Sequence, residues 1–450
     1  MKSIFEKFLQ EEWILFKSER NFHKLILILY CVFPVLLIIG TALSELLMIF
    51  LCLCFLYLYF FKKVKIFDNK LIYGLGIIYI ALLINLIFSN NISNSLLRNI
   101  FFIKYIIFTL GTVNFFSNKK FRISFLYKIW ILMLTIFAID MYIQFFLGKN
   151  IIGMESPLKF HRVSGFMGDE LKAGSLILGL SLIPSCFLIN DDRFKNIGLT
   201  LLIFFISVIF ISGDRSNFIK SFVVMFVIIF FFKKELLKKI IILFCILFAF
   251  IVLIISNYNC VGNECTFKER YKSQIFDNLT KNNYNLLEYI YSTEYGKVYY
   301  TGITVFLNNK SFGVGNKNFR LLCNDAEMKK FLSKNNIEYN KKFLKEKFEE
   351  KFRCNTHPHQ IYIEILSEHG AFGFIILIIL LSFFIKQNFL IIVKTKNLVL
   401  CCQFMVILIN FLPFLPGGSF FTSFNATLFW TNIALFYSYK NICAPKKKLM

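Results

Sequence analysis

Residues 355–374 read Asn-Thr-His-Pro-His-Gln-Ile-Tyr-Ile-Glu-Ile-Leu-Ser-Glu-His-Gly-Ala-Phe-Gly-Phe. This stretch joins a long charged segment to an aliphatic run whose length is typical of a membrane helix. Thr356 is placed to cap that helix, and Pro358 suits its first turn, where a backbone N–H has no helical partner. We therefore predict that the helix begins near Thr356 and directs its free N–H groups toward the membrane surface.

His359 falls in the predicted first turn of this helix. The positive end of the helix dipole disfavours an imidazolium there, and a general base at neutral pH must be uncharged. His359 is therefore the candidate base, and His357 is a neighbour that could orient a partner. The alternative is that both histidines merely end a helix at the lipid boundary.

The composition is that of a membrane protein. The 450 residues are 57% hydrophobic and 18% aromatic, and only 17% are charged. Apolar runs of roughly 20 residues indicate transmembrane helices. The sequence predicts an all-α membrane protein with about twelve such helices, at 24–40, 42–61, 71–88, 99–116, 124–147, 171–189, 197–212, 217–232, 239–256, 362–385, 389–411 and 420–438.

The net charge of +24 would suit nucleic acid if the charges were evenly spread. Instead, Lys and Arg concentrate at both ends of the chain and in every second connection between apolar runs. This positive-inside pattern predicts cytoplasmic termini, with membrane lipids and no nucleic acid as partners. We expect the first 23 residues to form an amphipathic arm on the inner surface.

The charge pattern divides the chain into three parts. Residues 1–256 form a first bundle of nine helices with its arm, 257–361 form one large outer loop, and 362–450 form the last three helices and a basic tail. An oxidising compartment would pair the four cysteines of the loop, and of three possible pairings we favour 260 with 265 and 323 with 354. No zinc-type spacing is present, and we expect no metal or cofactor.

Polar residues within apolar runs are costly and usually functional. Those of this chain lie near the outer ends of their predicted helices, which indicates a polar cavity open to the outer face. Snorkelling to the interface explains some of them. The set comprises Glu45, Asp140, Gln144, Lys172 and the two candidate substrate-binding lysines, Lys104 and Lys220.

Two arginines lie in outer connections. Arg162 precedes a helix start at which Asp169 and Glu170 are ordinary partners of the helix dipole. Arg215 follows a tight turn and could simply pair with the adjacent Asp214. The bidentate guanidinium fork also suits a diphosphate, so both arginines are candidates for binding one.

Three local patterns carry a resemblance to a known family. They are Arg162-x-x-Gly165 with Gly168-Asp-Glu170, Ser212-Gly-Asp-Arg215-Ser, and Gly313-Val-Gly315 followed by His359-Gln-x-Tyr362-x-Glu364-x-x-x-Glu368-x-Gly370-x-x-Gly373. Together with the predicted topology, they resemble the O-antigen ligase and O-antigen polymerase superfamily of bacterial inner membranes. The chain has Gln360 where that family commonly has Asn.

The resemblance implies a GT-C-like bundle with a periplasmic loop before the last three helices. It implies metal-independent transfer of a glycan from undecaprenyl diphosphate to lipid A–core by a ligase, or to another repeat unit by a polymerase. His359 would be the base, Arg162 and Arg215 would hold the diphosphate, and substrate contacts would come from His357, Gln360, Tyr362 and Glu364. Alternatives are a family enzyme with a protein hydroxyl acceptor and a non-enzymatic polysaccharide or lipid transporter.

Overall fold

The computed structural model describes residues 2–62, 69–156, 162–231, 293–322 and 353–443, together with a few single positions between 232 and 292. These residues form helices and irregular connections, and the only β-type pairing among them is one isolated bridge between Lys149 and Glu155. The predicted all-α class is therefore confirmed. Cys260, Cys265 and Cys323 lie outside the described residues, and so do both predicted disulfide pairings.

The described helices are α1 (Lys2–Lys17), α2 (Asn21–Ile39), α3 (Thr41–Lys62), α4 (Asn69–Ile87), α5 (Ile92–Ile100), α6 (Ile103–Ser117), α7 (Lys120–Leu147), α8 (Ala173–Leu180), α9 (Leu182–Ile189), α10 (Lys195–Ile211), α11 (Arg215–Phe231), α12 (Glu294–Asn308), α13 (Phe319–Leu322), α14 (Ile361–Thr395), α15 (Leu398–Leu408) and α16 (Ser423–Cys443). Short 3₁₀ turns lie at Gly165–Met167 and Ile409–Phe411.

Six helical segments of the described chain are long and apolar enough to cross a membrane. They are α2, α3, residues 70–87 of α4, the α5–α6 segment, α7 and α14, and shorter apolar segments occur at Ala173–Ile189, Lys195–Ile211 and Leu398–Phe411. The chain is thus a membrane protein. The total of twelve spans stays a prediction, because the predicted helix at 239–256 and most of the outer loop lie outside the described residues.

Several predicted helix boundaries are wrong. The predicted break at 386–388 lies inside α14, where the side chain of Asn388 is buried but accepts a hydrogen bond from Lys440 Nζ at 2.9 Å. A polar residue with a partner does not need to end a helix. The predicted helix 99–116 corresponds mainly to α6, with the end of α5 before it, and the predicted helix 171–189 is divided into α8 and α9 at Ser181.

One end of the bundle gathers the amino-terminal arm and the basic connections. Glu12 of the arm pairs with Lys128 at 2.7 Å, and Glu19 pairs with Lys119 at 2.8 Å and with Arg122 at 3.0 Å. The carboxyl end of α16 reaches the same level, because Asn441 Nδ2 lies 3.3 Å from Ser117 Oγ. We call this the basic end; that it faces the cytoplasm stays a prediction.

The opposite end, which we call the site end, is organised by a break in α14 at Gly370. This residue has φ 66° and ψ −167°, a conformation that is essentially restricted to glycine. The loop that contains Gly313-Val-Gly315 enters the break: Gly315 N donates to Glu368 O at 2.9 Å, and Phe372 N donates to Ser311 O at 3.0 Å. A Cβ atom on Gly370 would lie only 2.4 Å from Ser311 O. The two glycine patterns therefore form one structural unit.

Candidate active site

The segment that carries both histidines precedes α14 instead of forming its first turn. The helix begins at Ile361, and Gln360 caps it by accepting a hydrogen bond from Ile363 N at 2.9 Å. The predicted start near Thr356 is wrong because the backbone carbonyl of His359 accepts a hydrogen bond from Gly417 N at 2.7 Å. His359 consequently does not share a helix face with Tyr362.

His359 has a left-handed backbone conformation with φ 59°. For a residue other than glycine this conformation costs on the order of 1–3 kcal/mol and is found mainly where the surrounding structure enforces it, often at functional sites. Here the enforcing contact is the Gly417 N–H group. The backbone is thus held so that the ring of His359 lies beside that of His357, with ring centroids 4.0 Å apart.

The two imidazoles have different surroundings. His359 Nε2 lies 2.8 Å from the exposed amide Nδ2 of Asn355, and its ring packs edge-on against Tyr295. His357 Nδ1 lies 3.0 Å from Thr356 Oγ1, whereas its Nε2 is buried and has no hydrogen bond of normal geometry to any residue that the structure describes. Asn355 can be displaced by a ligand, which would free the Nε2 lone pair of His359.

The electrostatic environment keeps both rings neutral. Burial lowers the pKa of His357 to about 3, and the neighbouring His359 ring and the Lys317 ammonium group act in the same direction. Burial also lowers the pKa of His359, against an opposing contribution from the backbone of Gly417. A base with a pKa near 3 accepts protons poorly at neutral pH, so the ring environment favours His359 over His357 as a general base.

Arg162 and Asp214 bring the two arginine-bearing connections together. Arg162 Nη2 lies 3.6 Å from Asp214 Oδ2 and donates to Leu171 O at 3.3 Å. The sequence suggested no partner for Arg162, and the structure places its guanidinium group beside Asp214. Its Nε is buried and has no hydrogen-bond partner within the described part of the chain. The guanidinium group therefore keeps a donor that a phosphate oxygen could use.

The outer turn between α15 and α16 connects the histidines to α11. Gly417, which holds the His359 carbonyl, lies against Lys220 of α11: a Cβ atom built on Gly417 would be 3.6 Å from Lys220 Nζ. Ser216, in the first turn of α11, donates to Pro416 O. Lys220 is 7% exposed and forms no salt bridge with any residue that the structure describes. A buried ammonium group without a salt bridge is a candidate site for an anion.

Four other predicted site residues have partners within the protein. Gln360 caps α14, and Tyr362 Oη donates to Phe411 O at 2.7 Å. Glu364 is 1% exposed and accepts hydrogen bonds from Ser419 Oγ and, at 2.9 Å, from Phe420 N. Lys104 pairs with Glu45 of α3 at 2.8 Å. Contact of these residues with a substrate stays a prediction.

The sequence analysis missed Lys317, Gly417 and Ser419. Lys317 has φ 64°, is 2% exposed and donates through its ammonium group to Ser419 Oγ. Its position two residues after the Gly-Val-Gly pattern was the available signal. Nothing in the local sequence indicates that the turn containing Gly417 and Ser419 reaches the histidine segment, because residues 359 and 417 are far apart along the chain.

Comparison with known protein families matches residues 200–378 to the family described as O-antigen ligase. This part of the chain, two fifths of its length, is therefore similar to O-antigen ligases. The match confirms the resemblance seen in the sequence, and the matched range includes Arg215, Lys220, the glycine loop and both histidines. The similarity suggests a glycosyltransferase-like role in O-antigen assembly, which is taken up below as a proposal. No curated protein matches the chain.

Proposed function

We propose that the chain transfers a glycan from undecaprenyl diphosphate to a lipid A–core acceptor, as an O-antigen ligase. The acceptor hydroxyl oxygen attacks the anomeric carbon of the glycan, and His359 Nε2 takes the hydroxyl proton. The bond between the anomeric carbon and the phosphate oxygen breaks, and undecaprenyl diphosphate leaves with the electron pair. The reaction requires a neutral base and fixed positive charge at the diphosphate.

Arg162, Arg215 and Lys220 supply that positive charge in this proposal. The buried Nε of Arg162 and the unpaired ammonium group of Lys220 are donors for phosphate oxygens. Positive charge placed where the leaving group becomes more negative lowers the barrier, and the removal of one such donor typically costs a factor of about 10²–10³. A metal ion is not needed for this stabilisation.

A single observation carries the proposal, namely the position of Gly417 between the candidate base and the candidate cations. Its N–H group holds the His359 carbonyl at 2.7 Å, and its α-carbon lies against the ammonium group of Lys220. The backbone of the candidate base and a buried ammonium group therefore contact the same residue of the outer turn. Group transfer between a hydroxyl and a diphosphate ester needs both groups within reach of the same bond.

The lipopolysaccharide of a strain that lacks this chain tests the proposal. We expect gel electrophoresis to show loss of long-chain lipopolysaccharide while polymer linked to undecaprenyl diphosphate accumulates. Re-expression of the chain should restore the long chains, and re-expression of His359→Gln should not. Lipopolysaccharide that keeps a single repeat unit would identify a polymerase instead, and unchanged lipopolysaccharide would contradict both activities.

The proposed reaction also requires the site end to face the periplasm, where the polymer is completed. Two exposed carboxylates mark the two ends: Glu155 follows α7 at the site end, and Asp192 precedes α10 at the basic end. In a cysteine-free variant of the chain, Glu155→Cys should react with a membrane-impermeant thiol reagent added to intact cells. Asp192→Cys should react only after the inner membrane is opened. The reverse pattern would contradict the proposed orientation.

A further inference from the structure

A buried ion pair joins three segments of the site that are distant in sequence. Lys317 comes from the glycine loop, Glu364 from the first turn of α14, and Ser419 from the outer turn. The Lys317 ammonium group lies 3.7 Å from Glu364 Oε1 and donates to Ser419 Oγ, which in turn donates to Glu364. The side chains of Lys317 and Glu364 are 3% and 1% exposed, so water does not share in this pairing.

The outer turn connects the ion pair to Gly417, the residue that holds His359. Ser419 and Phe420 attach the outer turn to Glu364, and Gly417 is two residues before Ser419. Gly417 in turn donates to the His359 carbonyl and holds that residue in its left-handed conformation. Any change that releases the turn from Glu364 therefore also releases the backbone of the candidate base.

Lys317 is itself held from the other side. Its backbone has a left-handed conformation, and its carbonyl accepts a hydrogen bond from Asn94 Nδ2 at 2.7 Å. The preceding residue, Asn316, donates through its backbone N–H to Asn85 Oδ1 at 3.1 Å. The loop that carries Lys317 is thus fixed to α4 and α5, and this places the ammonium group beside Glu364.

We propose that Lys317 is a positioning residue for the transfer reaction. It neutralises Glu364, so that this buried carboxylate can hold the outer turn against α14, and the turn then fixes His359. The inference rests on the proposed function of His359. Lys317 does not touch the substrate; it acts through Glu364, Ser419 and Gly417.

Removal of the charge of Lys317 tests this role. Lys317→Met keeps the length of the side chain and leaves Glu364 as an unpaired buried carboxylate. Because a displacement of about 1 Å at a catalytic group can cost a factor of about 10², we expect transfer per molecule to fall roughly 10- to 100-fold. Binding of undecaprenyl diphosphate to the protein in nanodiscs, measured by native mass spectrometry, should stay within twofold of wild type.

The second variant removes both charges. In Lys317→Met with Glu364→Gln, the amide can still bond to Ser419 and to Phe420 N, and the charge of Glu364 is removed together with that of its partner. We expect this double variant to recover most of the lost transfer. The matched control is Lys128→Met with Glu12→Gln, which removes an equally buried ion pair at the basic end and should leave transfer per folded molecule unchanged.

The results separate the inference from the proposed function. Three results would each overturn the positioning role. Lys317→Met could retain full transfer, it could lose undecaprenyl diphosphate binding in parallel with transfer, or the double variant could show no recovery. If Lys317→Met does not fold, the double variant alone decides, and its failure to transfer would overturn the role. A wild-type chain that neither binds undecaprenyl diphosphate nor restores long-chain lipopolysaccharide would refute the proposed function itself.

Discussion

The two ends of the helical bundle hold their charges in opposite ways. At the basic end, Glu19 bonds to Lys119 and Arg122 at 2.8 and 3.0 Å, and Glu12 bonds to Lys128 at 2.7 Å. These are short contacts between side chains that are mostly buried. Ion pairs of this kind connect the amino-terminal arm to α7 and to Lys119, the residue before it.

At the site end Lys104 and Lys317 also have carboxylate partners, but two other cations are incompletely paired. Arg162 lies 3.6 Å from its carboxylate and keeps a buried Nε without a partner among the described residues, and Lys220 has no salt bridge to any of them. Buried polar groups in native proteins nearly always have hydrogen-bond partners, so buried cationic side chains that lack them call for an explanation. In the proposed function, a substrate supplies the missing partners.

The largest difference between the ends should appear when single arginines are replaced. Arg162→Ala and Arg215→Ala remove cations from the proposed diphosphate site, and we expect each to lower transfer by a factor of about 10²–10³. Arg122→Ala at the basic end breaks a buried ion pair and should lower the free energy of unfolding by about 3–5 kcal/mol. Transfer per folded molecule and thermal unfolding, measured on each purified variant, provide the comparison.

If Arg162→Ala and Arg215→Ala both transfer at the wild-type rate, the two arginines have only structural roles at helix ends. A transfer defect of the same size in folded Arg122→Ala would remove the distinction between the two ends.

A smaller effect should follow from replacing the same arginines with lysine. Arg162→Lys and Arg215→Lys keep the positive charge but lose the planar fork that binds two phosphate oxygens at once. We therefore expect transfer to fall clearly, yet less than in the alanine variants. The measurement is transfer per molecule across both series. Equal activity of the lysine variants and wild type would show that charge alone is used and would contradict bidentate binding.

Much of the fold was predictable because it depends on local patterns. The apolar runs predicted helices, and the alternation of basic connections corresponds to one end of the bundle, where Glu19 and Arg122 meet. The start of α14 was not predictable, because the contact that delays it comes from Gly417, far along the chain. The pairing of Arg162 with Asp214 and the burial of Lys317 likewise depend on which segments meet in space.

The smallest expected effect concerns how acid destabilises each end. The pKa of His357 is lowered to about 3, so the unfolded chain binds more protons than the folded chain between about pH 6.5 and 3. Stability from this site therefore falls as the pH drops through that window.

At the basic end, burial would raise the pKa of Glu19, but Lys119 and Arg122 outweigh burial and lower it. Stability from Glu19 is thus lost only below its unfolded pKa of about 4.5.

Thermal unfolding measured from pH 7 to pH 5 should separate the two contributions. We expect wild type to lose stability over this range, and His357→Gln to lose less because it removes one of the histidines whose protonation the folded state opposes. An equal slope in wild type and His357→Gln would contradict the proposed environment of His357.

The central claim, that His359 is the base, is tested most directly by comparing His359→Gln with His357→Gln. Glutamine can form hydrogen bonds but cannot accept a proton at neutral pH. Transfer per molecule and binding of undecaprenyl diphosphate are measured on both folded variants. We predict that His359→Gln binds the lipid but loses transfer by a factor of about 10²–10⁴, with a milder loss for His357→Gln. If His357→Gln loses more transfer than His359→Gln, the base is His357. Full activity of both variants would contradict general-base catalysis at this site.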